Sequence, residues 1–281
     1  MIDLFQPENI QRLCQKYRLS PSKKYGQNYL VDQGAIHKII ETAGLSSSDV
    51  VIEIGPGFGT LTQSLSLRAQ KVFAFEIEKK LQSYWEEQKK ELKNVEIIWG
   101  NALKEFPNLE LAEKPYKVVA NLPYQITSPL IRLFLEHFLP PETMTLMVQK
   151  EVGERICARP GQMSLLSVAV QYYAEARYVA TVPRSSFWPS PQVDSAIIHL
   201  TFRPSTQEKI DTDLFFTIVK AGFSSRRKVL RKNVEGVLAK DRRSLIQSIF
   251  DKLHVSSEVR AQELSVEQWI DLVKAVTTKA I

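Results

Sequence analysis

The tetrapeptide Asn-Leu-Pro-Tyr, residues 121–124, carries groups whose types and spacing could do chemistry. The preceding Val-Val-Ala predicts a buried strand that stops at this point. Asn121 offers an amide oxygen, and Pro123 fixes the turn that presents the backbone carbonyl of Leu122. Tyr124 adds a flat ring. Two acceptors and a ring could hold a planar molecule by an amine, although Asn and Pro are also common in ordinary turns.

The glycine turn in EIGPGFGT, residues 53–60, also follows a strand. Its third glycine comes one place too early for the dinucleotide pattern G-x-G-x-x-G. Pro56 lacks the amide hydrogen that a pyrophosphate cradle would use. Glu76 ends the next strand, where a carboxylate can accept hydrogen bonds from both ribose hydroxyls. The pattern disfavours NAD and favours S-adenosylmethionine, while the alternative is a plain glycine turn beside a surface Glu.

Strands that alternate with helices must position these two motifs. The strand-like runs are 49–54, 71–78, 95–101, 117–124, 143–149, 178–183 and 194–202. Helical spacing occurs at 33–44, which ends at Gly44, and at 60–69, 81–92 and 126–138. Alternation of this kind predicts a parallel sheet built from βαβ units. No helix separates the last two strands, which indicates an antiparallel edge.

The sequence changes character after TFRPSTQEK, residues 201–209, where strand-like runs stop. We place a boundary near residue 205, with an α/β domain over 1–205 and a small helical domain over 206–281. The formal charge is +6, and the segment from Lys220 to Arg243 alone has nine Lys and Arg against two acids. A smaller basic run, Arg12 to Lys24, has five cations and no acid. Two such runs favour a polyanion, with nucleic acid as the leading candidate.

Composition excludes several other classes of protein. No run of about 18 apolar residues is present to span a membrane, and the start of the chain lacks the order of a secretory signal. We therefore expect a cytosolic protein. Cys14 and Cys157 lie far apart, and none of the four histidines has metal-ligand spacing, so neither a disulfide framework nor a metal site is predicted.

Six motifs occur in the order typical of one family. They are KKYGQNYLVD (23–32), EIGPGFGTLT (53–62), FEIEKK (75–80), GNAL (100–103), NLPY (121–124) and FWPSPQVDS (187–195). In this respect the chain resembles the ribosomal RNA adenine dimethyltransferases. NLPY with FWPSPQVDS is most similar to the small-subunit (KsgA-type) branch rather than to the large-subunit enzymes of macrolide resistance. The resemblance implies a Rossmann-like class I S-adenosylmethionine-dependent methyltransferase fold with a small helical C-terminal domain.

The resemblance also implies roles for individual residues. Those expected to bind the cofactor are Asn28, Leu30, Gly55, Gly57, Glu76, Asn101 and Asn121. The family usually has Asp where Asn101 stands, and an amide oxygen can still accept from the adenine amine, without charge. Glu53 could reach the methionine ammonium through water, or it could cap a neighbouring helix.

The implied reaction methylates the exocyclic amine of adenine twice. The amide oxygen of Asn121 and the carbonyl of Leu122, held by Pro123, would accept the amine hydrogens and aim its lone pair at the methyl group. Tyr124 would stack on one face of the unstacked base and Phe187 on the other. For Phe187 the alternative is a hydrophobic turn between strands. No general base is required, because the methylated amine is acidic enough to release its proton to water.

The expected substrate is two adjacent adenosines in the 3′-terminal hairpin of small-subunit ribosomal RNA, within an immature subunit. Contacts to RNA are expected from Arg226, Arg227, Lys228, Arg231 and Lys232. The i, i+4 spacing of two pairs, Arg227–Arg231 and Lys228–Lys232, predicts a shared helix face. We expect a monomer. Two alternatives stay open: a large-subunit methyltransferase, and a docking factor of ribosome assembly without catalysis.

Overall fold

The computed structural model describes residues 2–20, 28–109, 115–203, 210–238 and 246–277. The chain divides into two compact units. The first unit consists of Met1–Gly153 and Ala176–Phe202, and the second of Glu154–Glu175 and Arg203–Ile281. Some predicted features lie outside the described residues. They are residues 23–27 of the first motif, the basic residues Lys240, Arg242 and Arg243 of the segment from Lys220 to Arg243, and the expected boundary near 205.

Nine strands are described. They are β1 (Tyr29–Leu30), β2 (Val50–Ile54), β3 (Lys71–Glu76), β4 (Val95–Trp99), β5 (Tyr116–Asn121), β6 (Thr143–Gln149), β7 (Ala174–Val182), β8 (Phe187–Trp188) and β9 (Ser195–Phe202). Seven of them form one sheet in the order β4-β3-β2-β5-β6-β9-β7, and β1 pairs with β8 in a separate two-stranded ribbon. Strands β2 to β6 run parallel in this sheet, and β9 lies antiparallel to β6. The predicted Rossmann-like sheet is therefore confirmed, while the antiparallel pairing predicted between the last two strands, β7 and β9, stays a prediction.

Twelve α-helices lie in the described residues. They are α1 (Pro7–Lys16), α2 (Gln33–Ala43), α3 (Thr60–Ser66), α4 (Gln82–Gln88), α5 (Ala102–Glu105), α6 (Thr127–Leu135), α7 (Lys150–Ile156), α8 (Leu165–Tyr173), α9 (Thr212–Gly222), α10 (Leu230–Val234), α11 (Ile246–Lys252) and α12 (Val266–Thr277). None of these helices has both the length and the apolar character that crossing a bilayer requires.

The first unit is built around β2, whose five residues are all buried. A parallel strand buried on both faces reads as a nearly continuous apolar run, which explains VVIEI apart from Glu53. Helix α2 packs its buried face against this sheet. It is capped by Asp32 at its start, and it ends as predicted at Gly44, which has the left-handed φ of 54°. Because β2, β3 and β5 are parallel, their carboxyl ends meet at one edge of the sheet.

The second unit has its own apolar core around Trp269, and it contains a segment that the sequence analysis had left in the first domain. Helix α8 contributes Val168 and Tyr172 to this core, and the ring of Tyr172 stacks on Phe215 at 4.2 Å. The expected single boundary near 205 is therefore incomplete, because residues 154–175 pack with residues that come later in the chain. The start of α8 is fixed locally by a capping box, in which the Ser164 hydroxyl accepts from the Ser167 amide.

Candidate active site

A cleft, partly open to solvent, lies at the carboxyl ends of β2, β3 and β5. Ligands bind at this edge of open α/β sheets. The residues that the sequence analysis assigned to the cofactor and to the base all line the cleft: Asn28, Leu30, Gly55, Gly57, Glu76, Asn101, Asn121, Leu122, Pro123, Tyr124 and Phe187. The structure thus brings together residues from six separate motifs, while the role of each stays a prediction.

One backbone amide of the glycine turn is already hydrogen-bonded to a side chain of the protein. The amide of Gly57 donates to Oε2 of Glu76 at 3.1 Å, and the amide of Glu78 donates to Oε1 at 2.7 Å. An amide that is bound to a carboxylate is not free to cradle a phosphate. Gly57 has a φ of 56°, and a Cβ at this position would lie 3.1 Å from the ring of Tyr29. The turn is therefore shaped to face a ligand without phosphates.

Glu76 is held firmly at the end of β3. Its side chain is buried at 4% exposure, and the two backbone amides fix the orientation of the carboxyl group. Burial raises the pKa of Glu76, and the backbone hydrogen bonds partly oppose that rise. Each oxygen keeps a lone pair beyond its backbone bond, which suits hydrogen bonds from vicinal hydroxyls.

Glu53 is a second buried carboxyl in the cleft. Its sequence context allows either an ammonium contact or a helix cap, and it is not among the residues predicted to form the site. It is 2% exposed, and its Oε2 has no hydrogen-bond partner among the described residues. Burial raises the pKa of Glu53 to about 8; the hydroxyl of Thr62 opposes the rise and the charge of Glu76 adds to it. A buried carboxyl oxygen without a partner is costly unless a ligand satisfies it.

The charge of the lining fits S-adenosylmethionine. The cleft is lined by two carboxyl groups, and none of the described lining residues is Lys or Arg. Such a lining disfavours a pyrophosphate and favours a cation. S-adenosylmethionine carries a sulfonium and an ammonium group, with ribose hydroxyls suited to Glu76 and an ammonium suited to the orphan oxygen of Glu53. The residues present therefore fit this cofactor.

Asn101 has a structural contact in addition to its place in the cleft. Its Oδ1 accepts the amide of Leu103 at 3.0 Å and so caps α5. Only the remaining lone pair of this oxygen can accept from an adenine amine. Asp in the same place would carry a charge that an amide lacks, so we expect a weaker contact from Asn101.

The tetrapeptide 121–124 stands where β5 ends. Asn121 is the last residue of β5, opposite Met147 of β6. The amide of Leu122 donates to the carbonyl of Met147 at 3.0 Å, which ties the backbone to the sheet at this point. Pro123 precedes a 3₁₀ turn, Tyr124–Ile126, which leads into α6.

Two aromatic residues face the cleft in different ways. Tyr124 is half-buried, and its hydroxyl lies 2.8 Å from the hydroxyl of Ser195. Burial raises the pKa of Tyr124, and this hydrogen bond partly opposes the rise. Phe187 is 4% exposed and packs among apolar residues that include Leu30, so only a small part of its ring faces the cleft. Sequence reasoning missed Tyr29 and Ser195, because their contacts join distant parts of the chain.

The cations expected to contact RNA lie in the second unit. Helix α9 ends at Gly222 and α10 begins at Leu230, so Arg226, Arg227 and Lys228 lie in the turn between them. The predicted shared helix face, Arg227–Arg231 and Lys228–Lys232, is therefore wrong. The helix does not continue because Nδ2 of Asn233 binds the carbonyls of Gly222, at 2.6 Å, and Ser225, at 3.0 Å, which holds the turn.

Four of these cations are exposed, namely Arg226, Arg227, Lys228 and Lys232. Arg231 is less exposed, and its Nε lies 3.7 Å from Oε1 of Glu235. We name Arg226, Arg227 and Lys228 the basic turn. Three adjacent exposed cations on a fixed turn are suited to phosphate contacts.

Comparison with known proteins agrees with the geometry of the cleft. Residues 19–278 match the model of the family described as ribosomal RNA adenine dimethylase. Two relatives called ribosomal RNA small subunit methyltransferase A, from Bacillus mycoides and Bacillus cereus, are 39% and 40% identical, each over 98% of both chains.

Two solved structures have the same fold. The structure of a dimethyladenosine transferase from Plasmodium falciparum has a TM-score of 0.76 and 28% identity, and it covers 87% of this chain and 95% of its own. The structure of the 23S rRNA methyltransferase ErmE has a TM-score of 0.75 and 28% identity, and it covers 89% of this chain and 100% of its own. With a family match over nearly its whole length and a cleft lined by the family's motifs, the chain belongs to the ribosomal RNA adenine dimethylases.

Proposed function

We propose that this chain dimethylates N6 of two adjacent adenosines in the 3′-terminal hairpin of small-subunit ribosomal RNA, with S-adenosylmethionine as methyl donor. One observation carries the proposal. The acceptor groups of Asn121 and Leu122 line the same cleft as the buried carboxyls Glu53 and Glu76. A site for an amine and a site for a cationic methyl donor therefore adjoin. The relatives named as small subunit methyltransferases favour this substrate.

The residues at the end of β5 would prepare the amine for attack. The lone pair of an adenine amine is delocalised into the ring, so the amine is a poor nucleophile. Hydrogen bonds to Oδ1 of Asn121 and to the carbonyl of Leu122 would favour a pyramidal nitrogen with its lone pair directed away from the ring. Tyr124 would support the base by stacking, which is worth about 1–3 kcal/mol per base in single-strand recognition.

The cofactor supplies an electrophilic methyl group when bound. Glu76 would hold its ribose, Glu53 its ammonium and Asn101 its adenine, while Asn28 and Leu30 would cover the methionine end. The methylated amine is acidic and can release its proton to water, so no side chain needs to act as general base. The second methylation requires that the acceptor pair tolerate the loss of one amine hydrogen.

The RNA would be held by phosphate contacts to the basic turn, with the target bases in an unpaired loop where extrusion costs least. Four expectations accompany this proposal and stay predictions: an immature subunit as substrate, a monomeric enzyme, a cytosolic location, and a domain 206–281 that binds RNA.

The proposal is tested by transfer of labelled methyl from S-adenosylmethionine to unmethylated small ribosomal subunits and, in parallel, to large subunits. The product nucleosides are then analysed. We expect dimethyladenosine in small-subunit RNA alone. Label in the large subunit would favour the large-subunit alternative, to which the fold shared with the 23S enzyme draws attention. Cofactor binding without label in either subunit would favour a docking factor without catalysis.

A further inference from the structure

A two-stranded ribbon links the two ligand sites of the cleft. It consists of β1 and β8, with Tyr29 opposite Trp188 and Leu30 opposite Phe187. Both strands line the cleft. Strand β1 carries Leu30, which the proposed function assigns to the cofactor, and β8 carries Phe187, which the family resemblance places against the target base. A movement of one strand must therefore move the other or break the ribbon.

The ribbon rests on the glycine turn through Tyr29. A Cβ at Gly57 would lie 3.1 Å from the Tyr29 ring, so the ring lies directly over the backbone of the turn. The Tyr29 ring also stacks with Trp188, with the ring centres 6.4 Å apart and the planes inclined by 16°. Two residue pairs give a two-stranded ribbon little stability of its own. Its order therefore depends on the contacts around it.

A side-chain hydrogen bond joins the segments next to the two strands. The Ser186 hydroxyl donates to Oδ2 of Asp32 at 2.6 Å, and the amide of Val31 donates to the carbonyl of Ser186 at 2.9 Å. The other oxygen of Asp32 accepts the amide of Ala35 at 3.0 Å and caps α2. The hydrogen bond from Ser186 lowers the pKa of Asp32, so the carboxylate is ionised at neutral pH. We call the Asp32–Ser186 pair the clasp.

We propose that Asp32 and Ser186 are positioning residues that lock β1 to β8, so that cofactor binding at β1 orders the segment that meets the target base. The clasp anchors both segments to the start of α2, a rigid element of the first unit. Coupling of this kind is reciprocal, so bound RNA would also strengthen cofactor binding. The proposal rests on the proposed function for the identity of the second ligand only.

Hydrogen exchange on the full chain tests the clasp without any methyl transfer. Amide exchange is measured by mass spectrometry with and without S-adenosylmethionine, in the absence of RNA. In the parent we expect the cofactor to protect both 29–31 and 187–188. In Ser186→Ala we expect protection at 29–31 but not at 187–188. Ser185→Ala, an exposed neighbour in the same 3₁₀ turn, is the matched control and should behave as the parent.

Asp32→Asn is a second variant that tests the clasp in case Ser186→Ala does not fold. The amide oxygen can still cap α2, whereas the ionised acceptor of the Ser186 hydroxyl is absent, so this variant should reproduce the exchange pattern of Ser186→Ala. Protection at 187–188 that persists in both variants would overturn the clasp. So would a parent in which the cofactor protects 29–31 alone.

Kinetics separate the clasp from the proposed function. With small subunits as substrate, Ser186→Ala should raise KM for the subunit by about tenfold, the effect of removing one hydrogen bond to a charged group. Its Kd for S-adenosylmethionine alone, measured by calorimetry, should change little. An unchanged KM for the subunit would contradict the clasp. A parent that methylates no subunit could still show the expected exchange pattern. The proposed function would then be wrong, whereas the coupling of β1 to β8 through the clasp would be supported.

Discussion

The hydroxyl oxygens of Tyr124 and Ser195 lie 2.8 Å apart, although the two residues are separated by 71 positions in the chain. Ser195 begins β9 and is fully buried, whereas Tyr124 lines the cleft. Because Ser195 is buried in the sheet, its hydroxyl holds the half-buried Tyr124 ring in one orientation. Ser195 therefore positions the ring that the proposed mechanism sets against the target base.

Removal of either hydroxyl should have the same effect on catalysis. Ser195→Ala and Tyr124→Phe should each lower kcat/KM for small subunits by about two- to tenfold, the range for one hydrogen bond. The double variant should be no worse than either single one, because both changes remove the same bond. Tyr178→Phe is the control, since it removes a matched 2.8 Å contact to Thr181 that is exposed. Additive losses in the double variant would exclude this role for Ser195.

Replacement of Asn121 should separate catalysis from binding. Asn121→Ala should reduce kcat by about 10²–10³, the usual loss for one donor or acceptor that acts on the transition state. Binding of small subunits should stay close to that of the parent, as filter binding would show. Calorimetry would measure how much Asn121 also contributes to the affinity for S-adenosylmethionine. Asn108→Ala, a change of an exposed amide, serves as control. If subunit binding collapsed as well, the division of labour between Asn121 and the basic turn would be wrong.

Cofactor binding should depend on the ionisation of Glu53. The pKa of this buried carboxyl is raised to about 8, and a cationic ligand lowers it, so binding releases a proton. The affinity for S-adenosylmethionine should therefore rise as the pH increases towards 8, the region in which the α-amino group of the cofactor itself begins to lose its proton. Calorimetry between about pH 6.5 and 8.5 in buffers of different ionisation enthalpy measures both effects. Glu53→Gln should flatten the profile, and Glu142→Gln, at an exposed position, should not.

The same group has the opposite effect on the stability of the free protein. The folded-state pKa of Glu53 lies above its ordinary value of 4.5, so the unfolded chain binds fewer protons between these two values. The free energy of unfolding should therefore fall as pH rises from about 4.5 to 8. Glu53→Gln should reduce that slope in urea titrations at several pH values. A slope equal to that of the parent would show that Glu53 is not the group responsible.

Replacing Gly57 and Gly44 by Ala allows a matched test of whether the backbone of the glycine turn shapes the cofactor site. Their φ angles are 56° and 54°, so Ala should strain the backbone by about 1–2 kcal/mol at either position. Only at Gly57 does a Cβ meet a neighbour, at 3.1 Å from Tyr29, while nothing lies within 4 Å at Gly44. Gly57→Ala should weaken cofactor binding as well as stability, and Gly44→Ala should affect stability alone. Equal cofactor affinities in the two variants would contradict a role of Gly57 in shaping the cofactor site.

The basic turn should account for part of the salt dependence of RNA binding. Replacement of Arg226, Arg227 and Lys228 by Gln should weaken binding of small subunits and reduce the slope of log K against log salt by about 0.7–0.9 for each phosphate that the protein no longer neutralises. Arg231→Gln should have a smaller effect, because Arg231 pairs with Glu235. An unchanged slope in the triple variant would place the RNA-binding surface elsewhere. Cofactor affinity should not change in any of these variants.

Local patterns in the sequence were enough to predict the parallel sheet and the composition of the cleft. The apolar run of β2, the cap of α2 at Gly44 and the acid at the end of β3 each depend on residues close in sequence. Strands of a parallel sheet bring their carboxyl ends to one edge, so motifs that follow such strands meet there. The residues of NLPY and of the glycine turn could be joined in one site for this reason.

Other features depend on contacts between residues that are far apart in the chain. The spacing of the basic residues predicted a helix, but the side chain of Asn233 donates to the carbonyls of Gly222 and Ser225 and holds the basic turn in a non-helical conformation. Residues 154–175 looked like part of the first domain, but Tyr172 packs on Phe215. The sequence by itself determined which chemical groups are present and on which elements they lie. Only tertiary packing decided that Ser195 orients Tyr124 and that Gly57 binds Glu76, because such bonds require two distant backbones to be held within hydrogen-bond distance.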